Sequence, residues 1–184
     1  MELVLPPKIL VAGIGNIFLG DDAFGVEVVR RLSDRPLPEN VRVVDFGIRG
    51  FDLAYALLDG YDLTILVDAA PRGGLPGTLY TIEPELSELE QPELQPMEIE
   101  MHAMNPSKVL SMVKSMGGEF RKMVLVGCEP APLASEEVEE GHMGMSAAVS
   151  ASLDQAVAMV ETIIRKTLEE TDKNFEPGRD EKGR

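Results

Sequence analysis

Cysteine and histidine are nearly absent from this 184-residue chain, and its bases are heavily outnumbered. The one cysteine, Cys128, excludes an internal disulfide and a cysteine zinc knuckle. The two histidines, His102 and His142, form no His-Glu-x-x-His, which excludes a standard zinc protease. Against 32 Asp and Glu stand 17 Lys and Arg, a formal charge of −15. Like charge repels nucleic-acid backbones and anionic membrane surfaces, so no nucleic-acid partner is expected. Nor does any run approach the roughly 18 apolar residues of a membrane span. The N-terminal MELVLPPKILVAGIGN has no basic stretch leading to a small-residue cleavage site. A soluble cytoplasmic protein with no membrane insertion, acting as a monomer, is expected.

What remains is an ordinary globular composition, 44% apolar and 27% charged, at a length that suits one domain. Short β-branched runs alternate with helical patterns, which predicts a single α/β domain with a mostly parallel twisted sheet of about five strands and helices on both faces. Strands are expected at 8–15, 41–46, 63–70, 78–83 and 122–129, with 78–83 as an edge strand. Helices are expected at 22–32, 51–58 and 106–116, the last ended by Gly117-Gly118. A long amphipathic helix at 146–168 should bury Ala148, Leu153, Val157, Val160 and Ile164. The domain is drawn at 1–170, with a polar, disordered tail at 171–184. The acidic excess has an address: segments 83–100 and 129–140 hold seven and five Glu with no base. Both read as surface connections at the crevice mouth, able to select a basic region of a partner.

Open parallel sheets work at the carboxyl ends of their strands. That rule selects Asp21 and Asp22 after the first strand, Asp45 ending the second, Asp68 ending the third, and Cys128-Glu129 after the last. A carboxylate in a run as apolar as LTILVDAA needs a partner or a shifted pKa. Convergence of such groups favours a divalent cation or acid–base work over a structural pairing.

The turn GIGNIFLGDDAFG (13–25) is not a dinucleotide fingerprint, because Phe18 stands where the third glycine belongs. Nor is it a phosphate loop, because two carboxylates follow Gly20. Asp21 is expected to cap the following helix and Asp22 to face the crevice. Should His102 reach the same place, Asp22, Asp68 and His102 form a mixed oxygen and nitrogen set suited to nickel or zinc.

In this order, GIGNIFLGDDAFG, VRVVDFGIRG, LTILVDAA with a later PGT, a His before a helix, LVGCEP and a late GMS resemble the hydrogenase maturation proteases over roughly residues 8–168. The resemblance implies an endopeptidase that removes the C-terminal extension of a nickel-iron hydrogenase large-subunit precursor after nickel insertion. It places the metal on Asp22, Asp68 and His102, which are then also the catalytic set, and it makes nickel a cargo of the precursor rather than a resident ion; other divalent ions can occupy the same ligands. The family turn often carries Glu where Asp22 stands, and its second-strand motif Asp-Gly-Gly-Thr is here Asp45-Phe46-Gly47-Ile48. Asp45 becomes a candidate for acid–base or substrate-orienting work. Cys128, without a histidine partner in sequence, reads as a buried residue and not a nucleophile. Two alternatives stand beside this reading: a non-catalytic chaperone for the nickel-loaded precursor, and a nucleotide-binding oxidoreductase.

Overall fold

A computed structural model describes residues 5–84, 106–132 and 144–175. The apolar runs form β1 (Ile9–Ile14), β2 (Val41–Gly47), β3 (Leu63–Ala69), β4 (Leu79–Ile82) and β5 (Lys122–Cys128). They make one sheet in the order β2-β1-β3-β5-β4, parallel except for β4, which pairs antiparallel with β5 at the edge. Helices α1 (Phe24–Ser33), α2 (Gly50–Leu57), α3 (Pro106–Ser115) and α4 (Ala147–Phe175) cover it.

Strand alternation divides the core into two layers. Ile9, Val11, Leu63, Ile65 and Val67 face α1 and α4, where Phe24, Val28, Leu153, Val157 and Val160 close the layer. Leu10, Ala12, Ile14 and Leu66 face α2 and α3, against Leu53, Leu57, Val109 and Val113. β3 contributes to both layers, which accounts for its unbroken apolar run. The fold is thus the single, mostly parallel α/β domain expected.

Several boundaries differ from the sequence reading. The long helix continues to Phe175, five residues into the stretch expected to be a disordered tail, while 176–184 lie outside the described residues. In its first turn the buried residue is Val149 and not Ala148, which is exposed. By length and composition alone Ala147–Thr171 could cross a membrane. Its apolar stripe is instead the wall of a core, with Val149, Leu153, Ala156, Val157 and Val160 at 1% exposure or less. α3 ends as expected: Gly117 takes φ +82° and the Gly118 N–H reaches back to the Val113 carbonyl at 2.9 Å.

The strand order places the site. β2 lies on one side of β1 and β3 on the other, so the chain leaves β1 in one direction and returns on the opposite flank. The carboxyl ends of β1 and β3 therefore border a topological switch point, where an open α/β sheet leaves a crevice. α1 begins directly over it: a side chain at Gly25 would come within 2.1 Å of the Val67 carbonyl oxygen and 2.3 Å of that of Ile14. Only glycine lets the helix start this close to two strand ends.

Candidate functional site

Two carboxylates meet at the switch point. Asp68 is the penultimate residue of β3, one position past the Gly13–Val67 pairing with β1. Asp22 arrives from the turn after β1, in a short 3-10 segment, Gly20–Ala23, that precedes α1. The Asn16 N–H donates to Asp22 Oδ2 at 2.6 Å, closing the turn around the side chain. A Cβ at Gly15, whose φ is +128°, would lie 1.8 Å from the Asp22 carbonyl oxygen, so this turn admits no larger residue there.

The electrostatics of the pair are unusual. Burial pushes the Asp68 carboxyl up from 3.8 to about 7, the Asp22 charge pushes in the same direction, and a hydrogen bond from the Ala69 backbone opposes them. No cation is among these influences. The neighbour that Asp68 feels is a second acid, so the partner required by its apolar strand is not a protein base among the described residues. A proton or a divalent cation satisfies such a pair. Hard oxygen donors of this kind fit a borderline ion once a nitrogen ligand joins them. Among the described residues no three His, Cys, Asp or Glu side chains gather into a metal-binding group. The third candidate, His102, and likewise His142, lie outside the described residues.

Asp45 is not part of this pair. Strand alternation sets it on the α1 face, opposite Asp68, and its Oδ2 lies 3.7 Å from an Arg30 guanidinium nitrogen of α1. Its main-chain oxygen accepts from Arg49, whose guanidinium also bonds the Phe46 carbonyl at 3.1 Å. At 38% side-chain exposure Asp45 remains open to an incoming molecule.

Two further carboxylates correct the sequence reading. Asp21 does not cap the helix that follows it. Its oxygens accept instead from the Ser146 N–H, the Ser146 hydroxyl and the Ala131 N–H, at 2.6, 2.9 and 2.7 Å. Glu129, expected on an acidic surface connection, is 5% exposed. Its carboxylate accepts from the N–H groups of Arg72 (2.8 Å) and Gly73 (3.1 Å) and from the Tyr80 hydroxyl (2.7 Å), which fastens the loop leaving Asp68. Burial works to raise its pKa, but the Tyr80 hydroxyl and the loop amides outweigh it, and the net shift is downward. The tight loop also needs Gly74, where a Cβ would fall 2.3 Å from the Tyr80 oxygen. Cys128 is fully buried; burial pushes its thiol up, and its Sγ lies 3.4 Å from the Ser152 hydroxyl, as suits a packed residue and not a nucleophile.

Around the acid pair the surface turns apolar. Of the nine large apolar side chains exposed among the described residues, six (Ile17, Phe18, Leu19, Ile48, Phe51 and Leu75) sit on or beside the loops after β1, β2 and β3. Those three strands are neighbours, so their loops form one rim. Single apolar residues in loops carry no periodic signal, so nothing in the sequence marks this rim.

Comparison with known proteins decides the family. Residues 26–163 match the family model HycI, hydrogenase maturation protease. The chain belongs to the hydrogenase maturation protease family. It is 32% identical over 161 residues to the hydrogenase 2 maturation protease of Escherichia coli K12, a match covering 87% of this chain and 92% of that one. A second relative, coenzyme F420 hydrogenase subunit delta of Methanothermobacter thermautotrophicus, is 30% identical over 83% of this chain and 92% of its own. Among solved structures, the hydrogenase maturating endopeptidase HybD from E. coli superimposes with a TM-score of 0.68 at 30% identity, covering 87% of this chain and 93% of that one. As a member of this family the chain is a hydrogenase maturation protease.

Proposed function

We propose that this maturation protease removes the C-terminal extension of a nickel-iron hydrogenase large-subunit precursor, and that it does so once nickel has been inserted. The observation that carries the reading is the Asp22–Asp68 pair. Two mutually repelling carboxylates at the switch point, one pushed up to about 7, await a positive charge that the described residues do not supply. A nickel ion presented by the precursor supplies it, with His102 as the nitrogen ligand completing the set. Nickel is then part of the substrate, and it serves as a Lewis acid near the scissile carbonyl.

The protein's own groups do the rest. Asp22 and Asp68 hold the precursor tail at the crevice through its metal centre. When that charge arrives, Asp68 gives up the proton it shares with solvent near neutral pH. Asp45, exposed at the end of β2 on the α1 face, orients the incoming chain. The apolar rim of Phe18, Ile48, Phe51 and Leu75 gives the tail a surface to lie on, and burying each large side chain there contributes about 1.5–3 kcal/mol before ordering costs.

The test incubates the protein with nickel-loaded and nickel-free precursor and follows loss of the C-terminal peptide by mass. Cleavage of the loaded form alone is expected. Equal cleavage of both overturns the nickel checkpoint, and cleavage of neither overturns the assignment of this substrate.

A further inference from the structure

Asp21, next to the candidate ligand Asp22, joins three parts of the chain that are distant in sequence. Its Oδ1 accepts the Ser146 N–H at 2.6 Å, and its Oδ2 accepts the Ala131 N–H at 2.7 Å and the Ser146 hydroxyl at 2.9 Å. Ser146 in turn caps α4, its hydroxyl oxygen accepting the Val149 N–H at 3.3 Å. The exit of β5, the start of α4 and the turn after β1 are thus held by one carboxylate. Three N–H and O–H donors on two oxygens require an acid at this position. An Asn keeps one acceptor oxygen and turns an NH2 group toward a donor.

The same turn is gripped from inside. The Asn16 N–H holds Asp22 Oδ2 at 2.6 Å, and the close approach of Gly15 to the Asp22 carbonyl leaves the backbone little room. Asp21 and Asp22 are consecutive in a four-residue 3-10 segment, and their carboxylates take different partners: Ser146 and Ala131 for Asp21, the Asn16 N–H for Asp22. One is fastened to the start of α4 and the segment after β5; the charge of the other reaches Asp68. From this geometry we infer that Asp21 is a positioning residue: by anchoring the turn to α4 and β5 it sets where the Asp22 carboxylate stands relative to Asp68. The inference rests on the reading that Asp22 works in the site, and its primary test does not depend on proteolysis.

That test uses the full chain and the variants Asp21→Asn, Asp21→Glu and Ser146→Ala. The Asn16 amide proton, hydrogen-bonded to Asp22, reports the position of that carboxylate in the free protein by NMR. In Asp21→Asn the Asn16 resonance should move or broaden, and kcat on nickel-loaded precursor should fall by about tenfold or more, in the range seen when outer partners of a ligand are removed, with KM within about twofold. Ser146→Ala removes one of the three donors and should give the same changes at smaller amplitude. Asp21→Glu, which keeps both oxygens, should recover part of the loss. A purely structural clasp would lower the unfolding temperature and leave both the Asn16 resonance and kcat per folded molecule unchanged; that result overturns the inference. If Asp21→Asn does not fold, Ser146→Ala decides, since an unmoved Asn16 amide there has the same consequence. Failure of the wild type to cleave its precursor counts against the proposed substrate and leaves the NMR outcome decisive for Asp21.

Discussion

Asp21 and Glu129 have their carboxylates filled by protein donors, three each, while Asp22 and Asp68 on the same edge of the sheet do not. Among the described residues Asp22 has one amide partner and Asp68 is aided only by a backbone bond from Ala69, and they face one another's charge. The first two groups are built as joints: fully hydrogen-bonded acids that lock loops in place. The second two are held in an unfavourable arrangement that a proton or a cation would relieve. Chemical type is the same in all four; only the supply of donors differs.

Removing a member of the unsatisfied pair should have the largest effect on activity. Asp68→Ala and Asp22→Ala should each lower cleavage of nickel-loaded precursor by more than about a hundredfold, exceeding the loss from outer partners. Stability should move the other way. An acid whose folded pKa is raised binds its proton more tightly folded than unfolded. Asp68 therefore destabilises the fold progressively as pH rises from about 4 to about 7, by no more than about 4 kcal/mol, and has no further effect above that. Asp68→Asn removes this dependence, so its advantage in unfolding free energy over wild type should be larger at pH 8 than at pH 5. An advantage independent of pH would break the contrast between the two pairs.

The satisfied pair should show the opposite signs. Asp21→Asn leaves donors unmatched and should cost about 1–3 kcal/mol of stability. Glu129→Gln should also destabilise. The folded pKa of Glu129 is depressed, so its contribution is present above the unfolded value and is lost as pH falls through the folded one. Denaturant titrations should accordingly show wild type and Glu129→Gln converging in acid. Smaller effects belong to the rim. Phe18 and Phe51 are 63% and 70% exposed, so Phe18→Ser and Phe51→Ser should change stability by less than about 0.5 kcal/mol while raising KM for the precursor. The smallest effect on catalysis is expected at Cys128: Cys128→Ala should leave kcat within about twofold, and a large loss would reopen the thiol as a nucleophile.

Periodicity made the sheet legible in advance. All five strands fall within a residue or two of the expected positions, because apolar runs bounded by turns have few other solutions in an α/β chain. Strand-end logic also pointed to Asp22 and Asp68, and the fold brings these two together because the switch point lies where the first and third strands end. What escaped was long-range pairing. Nothing local in EPAPLASEEVEE distinguishes Glu129, which is buried against the loop 70–77, from the Glu that follow it. In the same way, Asp21 reads as a cap for its own helix, and only the fold shows that it serves a helix 125 residues away. Side-chain bonds across such separations depend on three-dimensional placement and leave no pattern in a window of ten residues.

The order β2-β1-β3-β5-β4 also bears on how the chain is made. β4 leaves the ribosome before β5 but pairs with no other strand, so it has no docking site until residues 122–128 emerge. β1 has both of its neighbours, β2 and β3, early in the chain, whereas β3 gains its second neighbour only with β5. The loop leaving Asp68 is fastened by Glu129, and the turn bearing Asp22 by Ser146, both beyond that point. A nascent chain stopped short of β5 would therefore carry most of its first strands and neither of its fastenings. The two acids would be brought into register only as synthesis nears completion, when the domain around them is nearly finished.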